Sequence, residues 1–273
     1  MLVMVRGLVP VVAGAALAAV LTGCSGGADR ESRTGASQSA RTNAHAVLKA
    51  AVKKTAAQSS YRTVQTGEGA SDRSEMLYQR KPAATVIKSW GRGTEENPSG
   101  FNHTVLLGGS IYVKSDRVPG KSWYTMDLGD SGEQPADPGD SRAAGYITEY
   151  AGALGATKST EWIAEEKVGG RTADHYRGTV VIDELAGYNG PAMDKDVRDG
   201  YVELARKNGQ TKVVIDMWVG KDDLVLRSRE SDGKGKVLLT EEYSDFGAVP
   251  AITAPPTKTV ATWDEFISGA AKR

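Results

Sequence analysis

The sequence predicts an α+β domain: a large, strongly curved antiparallel sheet with helices gathered on its concave face. Three observations carry this. Through most of the 273 residues, short segments of alternating apolar side chains follow one another between Gly, Pro, Asp and Asn clusters, the signature of successive hairpins. A few other stretches repeat their apolar residues at helical spacing. Cys24 is the single cysteine, so no disulfide can replace an ordinary core, and the chain must bury apolar surface by packing. A sheet of this many twisted strands tends to curl.

The order begins with residues 1–23, which carry one charge, Arg6, and then an uncharged Leu, Val and Ala-rich run from Gly7 to Gly23. The run is shorter than the ~20 apolar residues of a membrane helix, and it closes on Leu21-Thr22-Gly23-Cys24. This predicts a cleavable signal peptide whose following residue, Cys24, receives a diacylglycerol. Stable anchoring takes more than one acyl chain, since a single one binds with an affinity on the order of 10⁴ M⁻¹. The segment 24–41 is rich in Ser, Gly and charged residues and has almost nothing to bury, so it is expected to be a flexible tether reaching roughly 20 to 25 Å. Residues 42–273 are then one folded domain on the extracytoplasmic face of a cell membrane.

Within that domain, Thr42 to Ser59 places Ala44, Val47, Leu48, Ala51 and Val52 on one helical face. Strands are expected at Tyr61–Glu68, Glu75–Arg80, Ala84–Trp90, Asn102–Leu107, Ser110–Lys114 and Ser122–Leu128, with tight turns at Gly108-Gly109 and Pro119-Gly120. After the acidic loop Gly129–Asp140, a second helix is expected over Ser141–Leu154. Strands resume at Trp162–Val168, turn at Gly169-Gly170 and continue through Asp174–Ile182. Pro191 is expected to open a third helix that stops at Asn208-Gly209. Lys212–Val219, Leu224–Ser231 and Lys236–Phe246 read as three more strands. The chain closes with a Pro-rich connector, Val249–Thr257, and a helix begun by the capping box Thr262-Trp263-Asp264-Glu265.

Few residues carry a signature of chemistry. Lys plus Arg and Asp plus Glu number 34 each, so no net field draws nucleic acid. Gly23-Cys24-Ser25-Gly26-Gly27 has hydrolase-elbow spacing but straddles the expected cleavage site. Asp140-Ser141 reads as a helix cap. His45, His103 and His175 show no metal-ligand spacing, and His103 and His175 are expected to be partly exposed strand residues. Asp194 with Asp196 reads as a helix start, Asp222-Asp223 as a hairpin turn rather than a calcium loop, and Gly233-Lys234-Gly235-Lys236 as a turn rather than a phosphate loop. No enzyme activity, cofactor or metal is expected.

The informative residues are apolar. Tyr124, Met126 and Leu128 alternate onto one strand face, as do Tyr176, Gly178, Val180 and Ile182, and Val213, Ile215, Met217 and Val219. A curved sheet must cover such a surface with helices or fill it with a ligand. Tyr124, Met126, Val180, Ile182, Val213, Ile215, Met217 and Val219 are therefore the candidate lining of a cavity, and both outcomes stay open.

Gly108-Gly109-Ser110-Ile111-Tyr112-Val113 followed by Lys121-Ser122-Trp123-Tyr124 resembles the strand, turn, tryptophan hairpin of the LppX/LprG-type actinobacterial lipoproteins, a family related in fold to the carrier LolA. Val168 to Tyr176 and Asp216 to Arg227 are similar to its central hairpins, and Tyr243-Ser244-Asp245-Phe246-Gly247 with Pro255-Pro256 to its closing strand. The resemblance spans most of the chain after Cys24. It implies a half-barrel of antiparallel strands closed by helices around a hydrophobic cavity, used in the family to hold acylated lipids or lipoprotein acyl chains, with no catalytic machinery to carry over. The expected partners are thus membrane lipid, through the diacylglyceryl Cys24, and an acylated lipid ligand. The alternative is an envelope sensor or protein-interaction module on the same fold with a filled core.

Overall fold

The computed structural model describes residues 43–67, 73–93, 97–127 and 146–270. The chain divides into two units, Met1–Gln38 and Ser39–Arg273, and the fold below is that of the second. The expected signal segment, Cys24, the tether, the loop Gly129–Asp140 and the Ser141 cap lie outside the described residues.

The fold is α+β, and among the described residues there is a single sheet of twelve strands. Strands β1 (Ser60–Gly67), β2 (Arg73–Gln79), β3 (Ala84–Trp90), β4 (Phe101–Leu107), β5 (Ser110–Lys114) and β6 (Trp123–Asp127) form one antiparallel meander. Strands β7 (Glu161–Val168), β8 (Arg171–Val181), β9 (Lys212–Gly220), β10 (Val225–Asp232) and β11 (Val237–Ser244) form a second. The two join where β1 pairs with β11, Thr63 facing Tyr243 and Gln65 facing Glu241. A two-residue strand, β12 (Val260–Ala261), adds parallel to β6. Local turn chemistry sets the hairpins: Gly108 and Gly109 at φ 60° and 80°, and Gly169 and Gly170 at 54° and 81°, occupy the left-handed region that glycine enters without steric cost.

The helices are α1 (Ala44–Ala56), α2 (Ile147–Ala156), α3 (Ile182–Ala186), α4 (Lys195–Lys207) and α5 (Trp263–Ala270). Their starts follow side-chain chemistry. Asn43 Oδ1 accepts from the Ala46 amide at α1. At α5 the expected capping box forms: the Glu265 amide donates to Thr262 Oγ1 at 3.2 Å and the Thr262 amide to Glu265 Oε2 at 2.8 Å. Several expected boundaries move, two of them for a reason visible in the side chains. Helix α4 begins at Lys195 rather than Pro191, because Asp194 supplies the cap through its Oδ1 and the Asp196 amide, 2.9 Å apart. The strand expected to run to Ile182 stops at Val181, and Ile182 opens α3, where Asp183 and Glu184 favour the positive end of a helix.

Partners directly opposite in a ladder share a sheet face. The inner face is defined here as the one bearing Ile215 and Met217. Over β8–β10 it is packed by helices. Leu48, Ala51 and Val52 of α1, Ile147, Tyr150 and Leu154 of α2, and Tyr201, Val202 and Ala205 of α4 close on Tyr176, Val180, Val213, Ile215 and Met217. Gly178 lets α2 approach, since a Cβ there would lie 2.5 Å from Leu154 Cδ2. Helices α1 and α2 are also joined by His45 Nδ1 and the Gly155 carbonyl at 3.1 Å.

Tyr61 and Tyr78 of β1 and β2 join that core, but the rest of the first meander packs the other way. Its cluster is Ala84, Val105 and Ile252, with Leu77, Val86, Leu107, Tyr112 and Trp123 against them. Ladder pairing puts Leu77, Val86, Val105 and Tyr112 in one row on the outer face. The Pro-rich connector supplies Ile252, pinned by its amide to Gln79 Oε1 at 3.0 Å. The connector then leads through β12, at the β6 edge, to α5, where Phe266 stacks on Tyr124 with ring centres 3.9 Å apart.

Candidate ligand-binding face

The ladder registers resolve the inner face of the first meander into rows. One row runs Thr63, Met76, Ile87, Thr104, Val113, Tyr124. The next runs Tyr61, Tyr78, Thr85, Leu106, Ile111, Met126. Met76, Leu106, Ile111, Val113, Tyr124 and Met126 are half-buried and Ile87 is 37 % exposed. Among the described residues, α5 covers the β6 end of these rows at Tyr124. Past Tyr61, Thr63 and Tyr78, each at most 2 % exposed, the rows form, among the described residues, a trough between α5 on one side and the helix-packed half of the sheet on the other.

The eight candidate lining residues therefore separate. Val180, Ile182, Val213, Ile215, Met217 and Val219 come together, each at most 3 % exposed, and the helices above fill the space over them. Tyr124 and Met126 stand on β6, at the other end of the strand order, on the same face but in the trough. Ile87, Leu106, Ile111 and Val113 share that surface and were missed by sequence reading. Their strands alternate apolar residues onto both faces, so nothing in Thr85–Ile87 or Leu106–Leu107 marks which face is left open.

Beside the trough, the inner face is polar. Ser228 of β10, Glu241 of β11, Gln65 of β1, Ser74 of β2, Ser89 of β3 and Asn102 of β4 pair in one continuous row. Glu241 is 1 % exposed. It accepts from Gln65 Nε2 at 2.5 Å, Tyr243 Oη at 2.6 Å and Ser228 Oγ at 3.5 Å. Nearby, Glu230 accepts from Tyr150 Oη and Tyr201 Oη, each at 2.9 Å. Burial pushes the Glu230 and Glu241 carboxyls above the ordinary range, against the pull of these hydroxyl donors. Glu149 is raised too, by burial and then by Glu230 and Glu241. A cavity of about 180 Å³ between α2, α4 and β10–β11 is lined by Tyr146, Glu149, Tyr150, Tyr201 and Glu230 among others.

The outer face of the second meander holds the opposite arrangement. Asp216, 1 % exposed, accepts from His175 Nε2 at 2.6 Å, Arg177 Nε at 2.7 Å and Arg229 Nη2 at 3.0 Å. Burial would raise its carboxyl, but the donors outweigh that and hold it at about 2. His175 stacks on Trp218 at 4.3 Å, and its Nδ1 meets Glu166 at 2.9 Å. It is 3 % exposed, so the expectation of a partly exposed histidine is corrected: the aromatic stack and two carboxylates bury it. His103, on β4, packs against Trp123 at 4.8 Å and does not meet His175. This network neutralises buried charge, as such charge requires.

The remaining sequence candidates are structural. Asp222 pairs with Arg171 at 2.6 Å and Asp223 with Lys54 at 3.3 Å, Asp223 turning the chain at φ 56°. Asp232 Oδ1 accepts from the Lys234 and Lys236 amides in the Gly233–Gly235 turn. Among the described residues no group of three or more His, Cys, Asp or Glu is placed to hold a metal, and no helix is long and apolar enough to cross a membrane.

Comparison with solved structures places this geometry in a class. LprF from Mycobacterium bovis superposes with a TM-score of 0.51 at 14 % identity, over 78 % of this chain and 97 % of that one. The Mycobacterium tuberculosis lipoprotein LppX gives 0.45 at 12 % identity, over 77 % and 97 %. The chain has the LppX/LprG-type fold. In sequence, an uncharacterised 31.2 kDa protein of Streptomyces griseus, from the rplA-rplJ intergenic region, is 32 % identical over 114 residues. That match covers 41 % of this chain and 35 % of the relative, so the chain spans about a third of the relative's length. No family model matches.

Proposed function

We propose that this protein is an exported lipoprotein, anchored through Cys24, that holds or shuttles acylated lipid on the inner face of its sheet. The trough carries the reading. Met76, Ile87, Leu106, Ile111, Val113 and Met126 present a contiguous apolar surface that the described residues cover incompletely. Each methylene that an acyl chain buries there contributes about 0.8 kcal/mol. Tyr124 and Met126 contact the ligand, while Val180, Ile182, Val213, Ile215, Met217 and Val219 form the floor on which the helices rest. The half-barrel has its concave side at the trough, and the tether 24–41 keeps it within reach of the bilayer.

The test is native mass spectrometry of the full chain expressed in a membrane-containing host, before and after organic extraction. Extractable acyl lipid on the wild type, reduced several-fold by Ile111→Ser with Leu106→Ser, is the expected result. A chain that carries no acyl lipid in repeated preparations would end the proposal. Mass analysis of the mature N-terminus checks the anchor: a diacylglyceryl group on Cys24 is expected, and a free thiol there would refute it.

A further inference from the structure

Followed through the ladders, the strand ends fall on two rims of the sheet. One rim carries Val181, Lys212, Asp232, Val237, Trp90 and Lys114, and the opposite one Arg171, Val225, Ser244, Leu107 and Asp127. Helix α1 begins beside the first rim. His45 Nδ1 meets the Gly155 carbonyl, and the chain after Gly155 is held by Thr157 Oγ1, which donates to the Thr179 carbonyl at 3.0 Å near the end of β8. It ends at the opposite rim, where the Val225 amide donates to Thr55 Oγ1 at 2.9 Å. The chain that precedes Asn43 therefore joins the domain at the first rim. We propose that this rim docks on an anionic lipid surface, its lysines meeting lipid phosphates and its exposed apolar side chains entering the interfacial layer. The proposal rests on the lipid-anchored reading and adds which end of the domain meets the bilayer.

Charge is concentrated in one sector of the rim. Lys212, Lys234 and Lys236 line a cavity of about 530 Å³ together with Asn208 and Gln210, and Lys207 stands in the last turn of α4. All four lysines are exposed, and Lys207, Lys212 and Lys234 enter no ion pair with a described residue. Two of the sector's carboxylates are engaged: Asp232 Oδ1 accepts from the Lys234 and Lys236 amides, each at 2.8 Å, and Asp183 pairs with Arg206 at 2.7 Å. That leaves Glu184 of α3 and Glu203 of α4 against four lysines. At the opposite rim the turns pair their charges internally, Asp222 with Arg171 and Asp223 with Lys54.

Exposed apolar side chains stand on the same rim. Leu204 and Val237, 50 % and 38 % exposed, lie among the lysines. Further along, α5 runs back to the rim, where a Cβ at Gly269 would lie 3.5 Å from Val118 Cγ2. Its Trp263 and Ile267 are 42 % and 49 % exposed, while Phe266 between them is buried on Tyr124. Charges balance there, Arg117, Lys121 and Lys258 against Asp116, Asp264 and Glu265, so this sector's contribution is apolar. Lysines with exposed aliphatic side chains and a tryptophan suit the boundary between lipid phosphates and acyl chains. Docked in this way, the domain meets lipid beside Tyr124, at the α5 end of the trough.

The experiment reconstitutes the mature lipidated chain into vesicles of phosphatidylcholine, alone or with phosphatidylglycerol, and reads hydrogen exchange. Exchange about tenfold slower over 204–212 and 232–238 is expected when phosphatidylglycerol is present. High salt should abolish the difference, and the opposite-rim turn 221–224 should not change. Lys212→Glu with Lys234→Glu should remove the protection while flotation with the vesicles and the melting temperature hold, and Arg at both positions should retain it. Equal exchange in the two kinds of vesicle, from chain that floats with both, overturns the docking proposal and leaves the anchor standing. A chain that floats with neither removes both. Polyglutamate, added to the chain in phosphatidylcholine vesicles, tests an acidic protein as the partner: protection equal to that given by phosphatidylglycerol would also overturn the proposal.

Discussion

Apart from Tyr61 and Tyr78, which join the helix-covered core, the two meanders put their cores on opposite faces of one continuous sheet. In β7–β11 the inner face is sealed by α1, α2 and α4, and the outer face carries the Asp216 network with a small cluster around Trp218. In β1–β6 the outer face is sealed by the Pro-rich connector around Ile252, and the inner face keeps half-buried Leu106, Ile111 and Val113. One half supplies stability and the other supplies surface. A sheet that must fold without a ligand and still offer an apolar face can do so when the burial that holds it lies elsewhere, here in the second meander and on the outer side of the first.

The sharpest test compares the same substitution in the two halves. Ile215→Ala, at a fully buried site under α1 and α2, should cost about 2–5 kcal/mol in urea unfolding, whereas Ile111→Ala should cost less than about 1 kcal/mol in delipidated protein. Equal costs would mean that the first meander's inner face is packed as tightly as the second's, and the comparison would fail. Gly178→Ala probes the seal itself. The added Cβ meets Leu154 Cδ2 and Thr160 Oγ1 at 2.5 and 2.8 Å, so a loss of about 1–3 kcal/mol is expected. A variant as stable as wild type would show that α2 can move off β8.

The buried acids extend the comparison to pH. The raised carboxyls of Glu230 and Glu241 bind protons more tightly folded than unfolded. Their contribution is full below the ordinary glutamate range and is lost as pH rises through their folded values. Asp216 is depressed, so its contribution is present above its ordinary range and is lost as pH falls toward about 2. Urea midpoints should therefore decline from mildly acid toward neutral pH, and Glu241→Gln should flatten that slope, because the amide reproduces a protonated acid between Gln65 and Tyr243. An unchanged slope would show that Glu241 is ionised throughout. Asp216→Asn should instead act on the acid limb, abolishing the loss below about pH 4 that belongs to this residue. A small effect is expected at the trough's edge, where Thr262→Ala removes the α5 cap for about 1 kcal/mol. Hydrogen exchange should then rise in Trp263–Ala270 with no change in α2.

Features set by neighbours in sequence were legible, and features set by distant pairing were not. The Gly108-Gly109 and Gly169-Gly170 turns, the Thr262–Glu265 capping box and the α1 face all follow from interactions within a few residues. The Asp194 cap outranking Pro191, and Ile182 entering a helix instead of a strand, show how a side chain adjacent to an expected boundary shifts it. At the site, Tyr124 and Met126 were readable by alternation alone. Their trough partners and the polar row were not, because Gln65 and Glu241 are 176 residues apart and meet only when β1 pairs with β11.

Composition, turn residues and apolar period by themselves determined that this chain forms an α+β domain of many antiparallel strands with amphipathic helices, without disulfides, following a lipobox-like Cys24. Alternation names two faces for every strand but cannot say which one a helix or a connector will cover. That was decided only by the tertiary structure, where the β1–β11 pairing, the placement of α1, α2 and α4, and the path of Val249–Pro256 divided the sheet, among the described residues, into a sealed part and a less covered one. The physical reason is that burial belongs to contacts between segments distant in sequence, whereas strand, turn and cap belong to contacts between near neighbours.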